Sequence, residues 1–261
     1  MIRTNTLVSK VEDVGLDGAK EQGWKFHIKD ATNGTTKTES FDFAVCATGM
    51  YSTKFIPEIK NISKFLGDYV HAADFVNASI VKGKNVLVIG SAKSAIDCVL
   101  EAKKAGANQS VLLARNAHWG TPRNIAGLIP FKFVFLSRFG QALVSWYKGA
   151  WPTAPSSVKF THSVLGLVMG PVFKIVEALF AFQLGLYGKM SPSTSTDVVK
   201  DFYGYAHVLD SSFKTAISSG EVQIEKGSVG SVSDDGKGII TTDGKFIPAD
   251  IIVAGTGTCL K

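Results

Sequence analysis

One run constrains the chain more than any other: Gly83 to Gly106, which reads GKNVLVIGSAKSAIDCVLEAKKAG. Its first half, NVLVI, is apolar and β-branched without polar alternation, the composition of a strand covered on both faces in a parallel sheet. Its second half places Ile96, Val99 and Leu100 on one face of a helix, with Gly106 as the stop. A further apolar strand, SVLLARN, follows at once. Strand, helix and strand at this spacing open a βαβ unit, so the fold class is read as α/β, Rossmann-like.

Between the strand and the helix lies Gly90-Ser91-Ala92-Lys93-Ser94-Ala95. The spacing is that of the dinucleotide fingerprint G-x-G-x-x-G/A, with Ala92 in place of the middle glycine. Gly90 permits the tight turn, small Ala92 lets the backbone approach a pyrophosphate, and Ala95 lets the helix pack closely on the strand. The helix start adds N–H donors and the positive end of its dipole. Twenty residues after Ala95 stands Arg115, where NAD-binding versions carry an acid for the ribose hydroxyls. A guanidinium there suits a 2′-phosphate, which favours NADP(H) over NAD. The alternative is an ordinary surface arginine at a strand end.

Around this unit the chain reads in three regions. Residues 6–48 look like strands: TLVSKVEDV, then WKFHIKD with Trp24, Phe26 and Ile28 alternating, then a turn at Asn33-Gly34, then FDFAVCATG as a buried strand ending in Ala47-Thr48-Gly49. Residues 49–82 are a connection containing Pro57. Residues 191–254 hold a helical stretch ending at Gly220, followed by strands VQIEK, SVGSVS, GKGIITTDGKFI and ADIIVAGTG. Cys46, Cys98 and Cys259 are too few and too scattered for a disulfide scaffold. With no CxxC pair, neither a zinc ribbon nor a dithiol reductase is expected, and a reduced, cytoplasmic setting is.

Charge is uneven. Residues 81–190 carry 13 basic and 3 acidic groups, while the segments on either side are slightly acidic. Such a local excess calls for anionic company, in cofactor phosphates or a membrane surface; no nucleic-acid-binding motif accompanies it. Mean hydropathy is +0.16, with the apolar excess concentrated in 125–188. The longest charge-free stretch there, Phe160 to Phe173, has 14 residues against the roughly 20 a spanning helix needs. Two helices buried against the body are the first expectation for this insert. A face on a membrane interface, with Lys132, Arg138, Lys148, Lys159 and Lys174 toward lipid head groups, is the second. The N-terminal residues show no apolar core of signal-peptide type, so secretion is not expected.

A third element is Phe65-x-Gly67-x-x-x-His71-x-x-x-Phe75, lying just before the Gly90 turn. With it the sequence resembles the flavin-containing monooxygenases and the related Baeyer–Villiger monooxygenases. F-x-G-x-x-x-H-x-x-x-(Y/F/W) ahead of a second dinucleotide fingerprint is their signature. The ATG at 47–49, and LLARNAHW followed by a long apolar insert and then ADIIVAGTG, are similar to the plant-type members. The likeness runs from about Thr6 to Thr258.

The resemblance implies a reaction. NADPH reduces bound FAD, and the reduced flavin takes O2 to a C4a-hydroperoxide that gives one oxygen atom to a small N- or S-nucleophile. It places His71 in an interdomain linker in a structural or conformational role, with Phe65 and Phe75 as packing residues, and implies no catalytic residue or metal ligand that can be named here. Ala47, Thr48 and Gly49 join Gly90–Ala95 and Arg115 as cofactor-binding candidates. The family's own first fingerprint, for FAD, lies upstream of the linker strand, so the sequence looks like an internal piece. The domains expected are a partial FAD-domain β-meander and linker over 1–80, an NADPH-binding domain over 81–254 with its insert at 125–190, and the start of a return to the FAD domain over 255–261. An NADP(H)-binding module without catalysis and a membrane-surface interaction protein are the other two readings kept.

Overall fold

A computed structural model describes residues 2–14, 23–49, 53–205 and 207–259, without the side chains of Tyr205 and Cys259. Residues 260–261, within the expected return segment, lie outside the described residues. The chain divides into two compact units, residues 1–50 and residues 51–261.

The first unit is an antiparallel meander of β1 (Thr6–Asp13), β2 (Trp24–Asp30) and β3 (Thr36–Phe41). Alternation in β2 puts Trp24, Phe26 and Ile28 on one face. Ile28 is buried, and the Phe26 ring meets Phe41 edge-on with centroids 5.2 Å apart. The buried strand expected at FDFAVCATG does not form. β3 ends at Phe41, residues 43–49 have no regular structure, and Phe43 and Val45 are exposed. A buried strand needs a ladder partner and cover on both faces. No described strand pairs with 43–49.

The second unit is built on a five-stranded, all-parallel sheet. Its strands are β4 (Asp68–His71), β5 (Asn85–Ile89), β6 (Gln109–Ala114), β7 (Gln223–Lys226) and, beyond three further strands, β11 (Ile251–Ala254). Their spatial order is β7-β6-β5-β11-β4. The apolar runs bury both faces of this sheet. Val86, Val88, Leu112, Ile251 and Val253 face one core cluster, and Leu87, Val111, Leu113 and Ile252 face the other. Against the first pack α1 (Lys93–Lys104), through Ala95, Ile96, Val99 and Ala102, and a later helix through Phe213 and Ala216. Against the second pack three antiparallel strands, β8 (Val229–Val232), β9 (Gly238–Thr241) and β10 (Phe246–Pro248), through Val232, Ile239 and Ile247. β4 pairs residue by residue with β11, which ties 68–71 to the second unit, and Thr53–Lys54 pairs with Thr258–Cys259 in the same unit.

The insert carries α2 (Phe131–Phe135), α3 (Arg138–Lys148) and α4 (Ser156–Leu184), and α5 (Val198–Tyr205) and α6 (Ser211–Ser218) follow it. The insert and α5 share a core of Phe135, Phe173, Phe180, Val198, Val199 and Phe202. Glu177 is buried on the inner face of α4. Its carboxylate accepts from the Val198 amide at the start of α5 (3.1 Å) and from Lys174 Nζ (2.7 Å). A helix N-terminus and an ammonium compensate a charge that would otherwise be expensive to bury. The first expectation for the insert fails on α4. This helix has 29 residues, is long and apolar enough to cross a membrane by length and composition, and leaves most of its apolar window unburied. Counting only charge-free residues understated it, because Lys159 and Lys174 fall inside one continuous helix.

His207 lies just beyond α5 and is fully buried; neither ring nitrogen has a hydrogen-bond partner among the described residues. Burial, with smaller contributions from His118 and Lys93 opposed by Asp201, pushes its pKa down to about 3. The unfolded chain would take up a proton near the ordinary value of 6.5, which the folded chain refuses until about 3. Stability should therefore fall as pH drops through that window, by on the order of 1.4 kcal/mol per pH unit from this group. Urea unfolding of wild type and His207→Phe across that range should show a flatter pH dependence in the variant. Equal slopes would contradict the assignment.

Candidate nucleotide-binding site

The carboxyl ends of β5, β11 and β4 meet at one edge of the sheet, where open α/β folds bind ligands. β5 ends at Ile89, and Gly90 turns the chain at φ +128°, a conformation side-chain-bearing residues rarely adopt. A Cβ at Gly90 would lie 2.4 Å from the carbonyl oxygen of Gly255. A Cβ at Gly255, just past β11, would lie 2.5 Å from the Ala95 Cβ. The helix start, the strand turn and the neighbouring strand end are thus in contact through atoms that only these small residues allow. The amides of Gly90 and Gly255 are anchored on Leu113 (3.0 Å) and Ile89 (2.8 Å). Gly255 is a site residue that the fingerprint spacing missed. Its signal was present in the AGTG that closes the last strand.

Ala92 is the N-cap of α1, extended, with no side chain able to cap the helix. The donors of the first turn are thereby left to a ligand, the arrangement that binds phosphate. Ser91 is nearly buried and its hydroxyl donates to the Asn116 carbonyl, joining the turn to the end of β6. Lys93 is half-buried and pairs with Asp97 one turn on, and Ser94 is exposed. Arg115 is the first residue after β6, exposed, and forms no ion pair among the described residues. Its position, at the end of the strand beside β5, is where a ribose substituent is read in this fold.

His71 closes the same edge. It ends β4, is buried, and its Nδ1 accepts from the Ala73 amide at 3.1 Å. The ring hydrogen therefore sits on Nε2, which donates to the Gly257 carbonyl at 2.9 Å. The histidine thus fixes the loop after β11 and does not face solvent. Gly67 is required by packing: a Cβ there would lie 2.0 Å from the Asp250 carbonyl. Phe75 packs partly buried on one core cluster, and Phe65 on the other. Ala47, Thr48 and Gly49 belong to the first unit, where they are exposed in irregular backbone.

A buried polar group beyond Arg115 was not legible from sequence. Asp201 on α5 accepts from the Trp119 amide (2.7 Å) and from Thr196, with His118 Nδ1 at 3.6 Å. Burial alone would push its carboxyl up, but these contacts outweigh it and hold it below the ordinary value. They tie the segment after Arg115 to α5.

A profile of the flavin-binding monooxygenase-like family matches residues 1–158. The chain belongs to that family. It is 40% identical over 98 residues to a trimethylamine monooxygenase of Pelagibacter sp. (strain HTCC7211), covering 37% of this chain and 22% of the relative. It is 26% identical over 214 residues to the indole-3-pyruvate monooxygenase YUCCA1 of Oryza sativa subsp. japonica, covering 82% of this chain and 46% of the relative. Among solved structures it is similar in fold to OTEMO in complex with FAD and NADP, with TM-score 0.59, 16% identity, and coverage of 98% of this chain and 53% of that one. An open form of cyclohexanone monooxygenase gives TM-score 0.56 and 17% identity, with coverage of 97% and 53%. The chain spans about half the length of these last three proteins. The α/β, Rossmann-like class read from the βαβ run is the class of this fold.

Two substitutions, with a third as control, test the site. Gly90→Ala forces a Cβ onto the Gly255 carbonyl and should cost at least about 2 kcal/mol in urea unfolding. Gly83→Ala, also at positive φ but with open space around it, should cost about 1 kcal/mol or less. Similar losses would mean that the close approach carries no energy. Arg115→Ala should weaken NADPH binding by roughly tenfold or more, measured by calorimetric titration, and leave NADH binding nearly unchanged. Equal losses would refute a 2′-phosphate contact.

Proposed function

We propose that this chain is the pyridine-nucleotide-binding part of a monooxygenase that uses NADPH and FAD to transfer one oxygen atom of O2 to a nucleophilic nitrogen or sulfur of a small molecule. The second oxygen atom leaves as water, and NADPH supplies the two electrons. FAD, when bound, supplies the oxygen-activating chemistry. The carrying observation is the contact of Gly90, Ala95 and Gly255 at an uncapped helix start, with an unpaired arginine at the end of the next strand.

In this reading the amides at the start of α1 hold the pyrophosphate and Arg115 holds the 2′-phosphate. His71 keeps the Gly257 loop in place beside them. Of the relatives' named substrates, trimethylamine is a nucleophilic amine, the class taken for this chain. A second reading rests on one observation. Among the described residues a single glycine turn of this kind opens a helix, which fits one dinucleotide. In that reading the chain is an NADP(H)-binding module.

Reconstitution of the purified chain with FAD decides between them. Flavin that is retained, and whose visible absorption NADPH bleaches without oxygen, supports the monooxygenase reading. NADPH binding without retained flavin supports the module. A chain that binds neither overturns both.

A further inference from the structure

The function just proposed makes no use of the outer face of α4. Phe160, Leu167 or Val168, Ile175 and Phe182 recur on it every seven or eight residues, about two helical turns, and Phe160, Leu167, Val168, Ile175 and Phe182 are 72%, 78%, 58%, 70% and 67% exposed. The stripe they form is about 33 Å long at 1.5 Å per residue. Phe133 on α2, Leu136 just after it and Phe139 on α3 are likewise exposed. A surface of this extent exceeds what soluble proteins leave uncovered without a partner.

Charge selects the partner. Residues 121–190 carry seven lysines and arginines and one acid, Glu177, which is buried. The exposed surface of this segment therefore carries no negative side chain. Lys132, Arg138 and Lys159 form no ion pair among the described residues. A second copy placed on this face would set positive charge against positive charge, whereas an anionic lipid surface complements it. A spanning arrangement is excluded by the inner face of α4. Phe173, Glu177, Phe180 and Leu184 are buried there, and Glu177 is hydrogen-bonded to α5. Lipid can reach one side of this helix only.

We propose that the exposed face of α4, with the adjoining α2 and α3, docks on an anionic lipid bilayer. α4 lies in the interfacial plane, its apolar stripe enters the acyl boundary, and the lysines and arginines contact head-group phosphates and carboxylates. The occupant is a membrane surface and not a soluble phosphate ligand, because an apolar stripe gains nothing from a free anion.

The test is flotation of the full chain with vesicles of phosphatidylcholine alone and with vesicles in which about a third of the lipid is phosphatidylserine. The chain should float with the second and much less with the first, and added salt should release it. Leu167→Gln with Ile175→Gln changes exposed positions only and should weaken partition about tenfold or more while NADPH binding is kept. Replacing Lys132, Arg138 and Lys159 by glutamine should weaken it about fivefold per charge removed. No flotation, or flotation that neither set of variants alters, overturns the proposal. So does a concentration-dependent dimer, seen by sedimentation, that the apolar variant converts to monomer while vesicles are ignored.

Discussion

The contact that organises this protein is the approach of Gly90, Gly255 and Ala95 at the carboxyl edge of the parallel sheet. Two strand ends and a helix start come within van der Waals reach, with almost no side chain between them. Once that approach is set, the rest of the edge follows. The helix start points its donors outward, β6 delivers Arg115 beside them, and His71 fastens the loop that leaves Gly255. The sheet beneath is apolar on both faces, so it is held by burial and tolerates little movement of its edge.

The insert follows a different principle. It builds a small aromatic core with α5 and fixes α4 to that helix through a buried carboxylate. That leaves a long helix with one committed face and one uncommitted apolar face. In a helix hydrophobic all round, burial on one side says nothing about what covers the other.

How much was legible follows from these physics. β5, α1 and β6 read correctly because strand composition, helix periodicity and turn spacing all point the same way over the run from Gly83 to Ala114. The last strands read well because Asp235-Gly236 and Asp243-Gly244 punctuate them. FDFAVC misled because composition reports what a strand would bury and not whether a neighbour exists to pair with it. α4 misled because its apolar residues surround the helix, so periodicity could not tell an inner face from an outer one. Gly255 and Asp201 escaped because each acts through a residue far away in sequence, and spacing rules see only local partners.

The alanine at the head of α1 has a consequence beyond geometry. Most helices complete their own first turn with a serine, threonine or aspartate, and so are finished as soon as they fold. This one is left open where an anion would complete it. Binding of such an anion and the final ordering of this corner would then be parts of one equilibrium. A ligand that fills the gap acts as a structural element of the protein, adding stability in proportion to the logarithm of its concentration.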